Sequence, residues 1–269
     1  MGTLRLFVLS LVAVAMTAPV SRADTTLLPP TADTWPLPVN ERPLTLASGM
    51  LELRGDTFRA SLSEDAVGEP ISLAPDVYVG IDRHLTVGFT HRVGVCLTPG
   101  EESGCPTAYH DAGAEVVYSF MRGGNVQMAF SGGIDAPRFS PFTAGVHAGS
   151  VTRIRGGKIA FVLEPNLYLG LLGRSNDTED LTVPTREVLR VPVSLQFQAQ
   201  PQTNIFATSG LRESLRDFGD SYEIPLGVGA TFALNHRLDL GGEFRLDDLF
   251  GRDGGFARRI LILRAALRV

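Results

Sequence analysis

From residue 71 onward, apolar and polar side chains alternate in paired segments. From Leu85, one face carries Leu85, Val87, Phe89, His91, Val93 and Val95, and the other Thr86, Gly88, Thr90, Arg92, Gly94 and Cys96. From Ile159 and from Leu189 the same period of two sets Phe161, Leu163, Val191, Val193 and Leu195 against Val162, Glu164, Arg190, Ser194 and Gln196. Between Arg237 and Asp247 the sorting is sharpest. Leu238, Leu240, Gly242, Phe244 and Leu246 face one way, and Arg237, Asp239, Gly241, Glu243, Arg245 and Asp247 the other. A helix would scatter these charges around its axis, whereas a strand sorts them.

The segments are joined by an asymmetric set of connections. Short turns read Ile81-Asp82-Arg83-His84, Arg122-Gly123-Gly124-Asn125, Arg155-Gly156-Gly157-Lys158, Gln200-Pro201-Gln202-Thr203 and Leu234-Asn235-His236-Arg237. Between them lie longer polar stretches at 55–70, 97–111, 134–141, 172–187, 211–222 and 248–258. Tight turns on one side and long loops on the other, joining apolar faces about ten residues long, are the pattern of a transmembrane β-barrel. A soluble sandwich also alternates, but it requires neither feature.

The expected fold is therefore all-β, a closed antiparallel up-and-down transmembrane barrel of about 12 strands, with 10 or 14 as alternatives. The expected strands are 44–54, 71–80, 84–96, 112–121, 125–133, 142–154, 158–171, 188–199, 203–210, 223–234, 237–247 and 259–269. The segment 203–210 is the weakest, with only Ile205-Phe206-Ala207 as its core. An even number puts both chain ends on the short-turn side, which is periplasmic in such barrels.

The N-terminus adds a compartment. Arg5 precedes an apolar run from Leu6 to Met16, and Ser21-Arg22-Ala23 forms a small-x-small site. This is the layout of a cleaved secretory peptide, residues 1–23, and the run is too short to span a bilayer as a helix. Residues 24–43 carry Pro29, Pro30, Pro36, Pro38 and Pro43, a composition that reads as an extended periplasmic tether. Trp35, the sole tryptophan, either plugs the barrel mouth, sits at the membrane surface or belongs to a lightly ordered tail. Residues 44–269 form the barrel domain.

Resemblance enters with these features together. The export signal, the hairpins and the closing segment Leu261–Val269, apolar at 261, 263, 265, 267 and 269, resemble Gram-negative outer-membrane β-barrel proteins. The resemblance implies a porin-like protein of the outer membrane, in contact with its lipid. The chain departs from the pattern at Val269, where these proteins end in Phe or Trp. Its aromatic girdle is limited to Tyr118, Phe120, Phe130, Phe142, Phe161, Phe197, Phe232 and Phe244. No family-specific motif is present, so the resemblance assigns no site residue.

Charge narrows the partners. Beyond residue 23 the chain holds 22 basic and 29 acidic side chains, a formal net charge of −7, which argues against nucleic acid as a partner. The two cysteines, Cys96 and Cys105, share one loop. In an exported chain such a pair reads as a disulfide. No cofactor or metal is expected. Ser175–Asp180 is acidic but lacks the spacing and glycine of a calcium loop.

Enzymatic chemistry is not expected either. Of His84, His91, His110, His147 and His236, only His147 is expected in the lumen, with His91 on the lipid face near the outer rim. No nucleophile stands with them. The functional candidates are the inward polar residues: Asp76, Arg92, Glu115, His147, Arg153, Glu164, Arg190, Glu223, Asp239, Glu243, Arg245, Arg264 and Arg268. They either pair and fill the lumen or line a wet path and set its selectivity. Inward glycines such as Gly80, Gly88, Gly227 and Gly229 favour open space. The leading expectation is a narrow passive channel for small polar solutes. A non-conducting structural or surface-interaction barrel comes second, and a lipid hydrolase third.

Overall fold

The tight turns are set by their own side chains. In the computed structural model the Asp82 carboxylate accepts the backbone N–H groups of His84 (2.6 Å) and Leu85 (3.0 Å), and Asn235 Oδ1 accepts those of Arg237 (2.8 Å) and Leu238 (2.9 Å). Such local bonds mimic a backbone turn and stop the strand there. The structure describes residues 30–63, 67, 70–98, 107–174, 185–251 and 254–269.

The strands are β1 (Leu51–Ser61), β2 (Ile71–Gly80), β3 (Leu85–Thr90), β4 (Val95–Cys96), β5 (Ala112–Met121), β6 (Val126–Phe139), β7 (Phe142–Gly156), β8 (Ile159–Leu163), β9 (Asn166–Leu172), β10 (Val188–Gln200), β11 (Thr203–Ser214), β12 (Tyr222–Glu223), β13 (Leu226–Ala233), β14 (Leu238–Leu246) and β15 (Arg259–Arg268). Every pairing is antiparallel between sequential neighbours, and β15 pairs with β1 to close the ring. The pieces β3 with β4, β8 with β9 and β12 with β13 are interrupted single strands, so the wall is a closed barrel of 12 strands. Closure is marked by an ion pair. Glu52 and Arg268 face each other across the β1–β15 seam, with Arg268 Nε 2.6 Å from Glu52 Oε2.

Proline explains the interruptions. Pro165 and Pro225 fall between β8 and β9 and between β12 and β13, where a missing N–H breaks the ladder while the register continues on both sides. Pro165 therefore lies midway along the wall. The third break is a bulge. Val77 pairs with Phe89, and the ladder would next set His91 against Pro75, which has no N–H to give. The chain instead loops out over 91–94. Asp76 accepts the His91 N–H (2.7 Å), and the Asp111 carboxylate accepts those of Arg92, Val93 and Gly94 (2.6, 3.0 and 2.6 Å). Gly94 takes φ +72°, a conformation that admits glycine freely. The bulge interrupts the alternation at His91, whose ring packs edge-on against Phe89 at 4.9 Å and beside Tyr109 at 5.7 Å.

Three boundaries differ from expectation. The first strand is Leu51–Ser61, not 44–54, because residues 44–50 leave the wall. The stretch 134–141 is not a long loop. Strands β6 and β7 extend through it, with Phe139 paired to Phe142 around a tight turn. The weak segment 203–210 is a full strand to Ser214, paired with both β10 and β13.

Burial follows the alternation with an inverted sense relative to a soluble protein. Phe130, Ile134, Leu195, Phe197, Ile205, Val228, Phe232 and Leu240 are exposed on the outside, whereas Glu52, Glu243, Asp239, Asn204 and Ser119 are buried inside. Of the proposed girdle, Tyr118, Phe120, Phe130, Phe142, Phe197, Phe232 and Phe244 are exposed, and Phe120 stacks on Phe130 at 4.6 Å. A continuous apolar exterior around a polar interior needs an apolar surrounding.

Candidate functional site: the barrel lumen

The lumen is divided by where side chains reach across it. Its main cavity, about 750 Å³, occupies the end nearer the short turns. Eight predicted residues line it: Asp76, Glu115, Arg153 and Glu164 from one side, and Arg190, Asp239, Arg264 and Arg268 from the other. Towards the long loops, a chamber of about 220 Å³ shares Asp76, Tyr78, Glu115 and Arg190 with it and adds Arg92, Asp135 and His147. A third, about 290 Å³, shares Glu164, Arg190 and Arg264 and adds Arg245.

Most of these charges are fixed in pairs. Glu243 lies under Arg245 (2.8 and 3.0 Å), bonds Arg264 and accepts the Thr208 hydroxyl at 2.8 Å. Glu223, expected in the path, sits between Arg212 and Arg258, 3.2 Å from each. Asp135 holds His147 Nδ1 at 2.7 Å and Arg92 at 3.2 Å. Arg92 also lies 5.4 Å over the Tyr168 ring. The Glu164 carboxylate differs: among the described residues it has no hydrogen bond or ion pair, and it is exposed to the cavity. The structure thus brings the predicted residues into one lumen and separates those that face open space from those locked in the wall.

Some charged contributors were missed from sequence. Glu52 and Arg54, 2.6 Å apart, line the cavity from β1, and the alternation Leu51-Glu52-Leu53-Arg54 carried that signal. Arg42 had no such signal, because it comes from the Pro-rich segment, whereas Trp35 takes one of the positions open to it, at the barrel mouth. That segment does not stand off as an extended tether over its described part. It folds into the barrel at the short-turn end, with a single turn of 3-10 helix at Val39–Glu41.

Its contacts are mostly polar. Arg42 reaches Asp239 through two bonds, 2.6 and 2.9 Å, and Asp239 is shared with Arg268 at 2.5 Å. Burial lowers the Arg42 pKa, and Asp239 opposes that effect. Arg153 donates to the Arg42 carbonyl at 2.5 Å. The Thr45 hydroxyl donates to Arg83 O (2.9 Å), Leu46 N–H to the Thr86 hydroxyl (2.8 Å), and His236 Nδ1 meets Trp35 O at 2.7 Å. Outside the barrel, Arg237 holds Asp33 at 2.7 Å and keeps its carboxyl below the usual range. Trp35, 3% exposed, packs with Leu46, Ala47, Met50 and Tyr78, and Arg268 lies 5.7 Å over its ring.

The remaining histidines have structural partners. His84 Nδ1 meets Ser119 O at 2.8 Å, and His91 Nε2 meets the Tyr109 hydroxyl at 2.9 Å. Among the described residues no three His, Cys, Asp or Glu side chains gather as a metal site. Cys96 is buried on β4 opposite Ser72. Cys105 and the acidic stretch 175–180 lie outside the described residues.

No protein-family model matches the chain, and no curated protein matches it. Solved structures do. The NanC porin superposes with a TM-score of 0.55 over 81% of this chain and 100% of its own, at 9% identity. The COG4313 outer membrane channel from Pseudomonas putida F1 gives 0.55 over 84% and 97%, at 11% identity. The KdgM porin in complex with disordered oligogalacturonate gives 0.54 over 81% and 98%, at 7% identity. At these identities the likeness is one of fold: the chain has the closed antiparallel barrel that these outer-membrane channels share.

Proposed function

We propose that the chain is an outer-membrane channel passing small polar solutes by diffusion. One observation carries this reading: a cavity of about 750 Å³, lined by side chains of both charges, runs inside a wall whose exterior is apolar. A filled structural barrel would close that space with side chains. Here Glu115, Glu164 and Arg190 face it instead. The neighbouring KdgM porin was solved with an oligogalacturonate, a carboxylated sugar chain. Inward guanidiniums such as Arg190 and Arg264 suit carboxylated solutes of that kind, as well as smaller ones.

In this reading residues 1–23 are removed after Ala23, the short turns face the periplasm, and outer-membrane lipid covers the apolar band. A Cys96–Cys105 disulfide staples the loop after β4 on the outer side, consistent with the buried position of Cys96. Conductance of the refolded protein in planar bilayers tests the channel. Discrete ion steps are expected, and their absence points to a non-conducting surface barrel. That second reading has a specific observation in its favour, since the N-terminal segment occupies the short-turn mouth.

A further inference from the structure

We propose that residues 33–50 form a displaceable plug of this channel, latched by Arg42 on Asp239 and by Arg153 on the Arg42 carbonyl. The inference rests on the channel reading and adds to it a gate at the short-turn mouth.

Three observations support a plug that moves. The first is the kind of contact that holds it. The segment is fixed chiefly by ion pairs and hydrogen bonds, and its apolar anchor is confined to Trp35, Leu46, Ala47 and Met50 against Tyr78. A buried ion pair returns little more than the desolvation of its charges costs. The polar contacts therefore add little net free energy to docking, and the docked state is held over the released one mainly by that small apolar anchor.

The second is that the wall is shaped for the segment. The Gly80 N–H donates to Met50 O (2.9 Å) and the Gly49 N–H to Gly80 O (2.8 Å). A Cβ on Gly80 would collide with the Ala47 carbonyl. The wall backbone is approached here as closely as glycine permits.

The third is that release strands no charge. Asp239 keeps Arg268 at 2.5 Å, and Arg268 keeps Glu52 at 2.6 Å. Arg153 loses the Arg42 carbonyl, but Glu164 lines the same cavity with its carboxylate unpaired among the described residues. Strands β7 and β8 pair beside each other and bring these two side chains to one stretch of wall. Arg153 thus has one partner in the plugged state and a second waiting in the open state, the arrangement of a two-state element.

Trp35 is the only tryptophan and is 3% exposed, so its emission reports docking directly. The test measures iodide quenching and single-channel current on the same refolded full-length protein. Heat-dependent gel mobility checks that each variant is folded. Arg42→Ala is expected to raise quenching severalfold and to lengthen open times. Glu164→Gln, which removes the second partner of Arg153, is expected to shorten open times with Trp35 still shielded. Asn40→Ala, which removes the side-chain bond to Gly157 O, is a milder second variant with the same sign as Arg42→Ala. Trp35 becoming quenchable with current unchanged would overturn the plug. So would altered current with Trp35 equally shielded in every variant. If no variant and no wild-type sample conducts, the channel reading itself falls, and the gate with it.

Discussion

Arg42 donates two hydrogen bonds to Asp239, at 2.6 and 2.9 Å, joining the N-terminal segment to a wall strand 197 residues away in sequence. Asp239 also holds Arg268, which crosses the closing seam to Glu52. One carboxylate therefore serves both the segment and the ring closure. Replacing it leaves two buried guanidiniums without their shared acceptor. Asp239→Ala is expected to lower stability by about 3–5 kcal/mol. The check is the temperature at which the folded gel band converts to the unfolded one; conversion at the wild-type temperature would contradict the shared role.

Glu243 makes a parallel case further up the wall. Its side chain is fully buried among Arg245, Arg264 and Thr208. Glu243→Ala is expected to cost a similar amount, about 3–5 kcal/mol. It should not act as a clean selectivity mutation, because the carboxylate does not face open space. A variant of wild-type stability with a displaced reversal potential would show the opposite.

Selectivity is expected to follow the residues that face the cavity. Glu164→Gln removes a carboxylate exposed there and should move the reversal potential towards weaker cation preference. Arg190→Gln should move it the other way. Reversal potentials in a salt gradient decide this, and unchanged values in both variants would remove these two residues from the path.

The proposed Cys96–Cys105 pairing admits a chemical test. Under the proposed pairing of Cys96 and Cys105, a maleimide should label the exported protein only after reduction. For a loop of this length the bond contributes about 3 kcal/mol through chain entropy. Labelling without reductant would rule the pairing out.

The wall was legible from sequence because its physics is local and periodic. In Arg237–Asp247, Asp239, Glu243 and Arg245 sort to one side by parity, and they do lie inside. Parity fails where the ladder is interrupted. Pro75 denies His91 a ladder partner and the bulge at 91–94 follows; the cause sits on a neighbouring strand and not in the local pattern. The stretch 134–141 reads as a loop because it carries Asp135, Pro137, Ser140 and Pro141, yet strand pairing overrides that composition up to Phe139. The fold of the N-terminal segment was the least visible feature. Trp35 and Arg42 owe their positions to Asp239, His236 and Arg153, all over a hundred residues away, and a Pro-rich segment has no period to read.

The central claim is a water-filled path through the barrel, and single-channel recording of the refolded full-length protein tests it most directly. The account predicts discrete current steps, small in wild type and longer-lived in Arg42→Ala. Flat traces from correctly folded protein, wild type and Arg42→Ala alike, would contradict it.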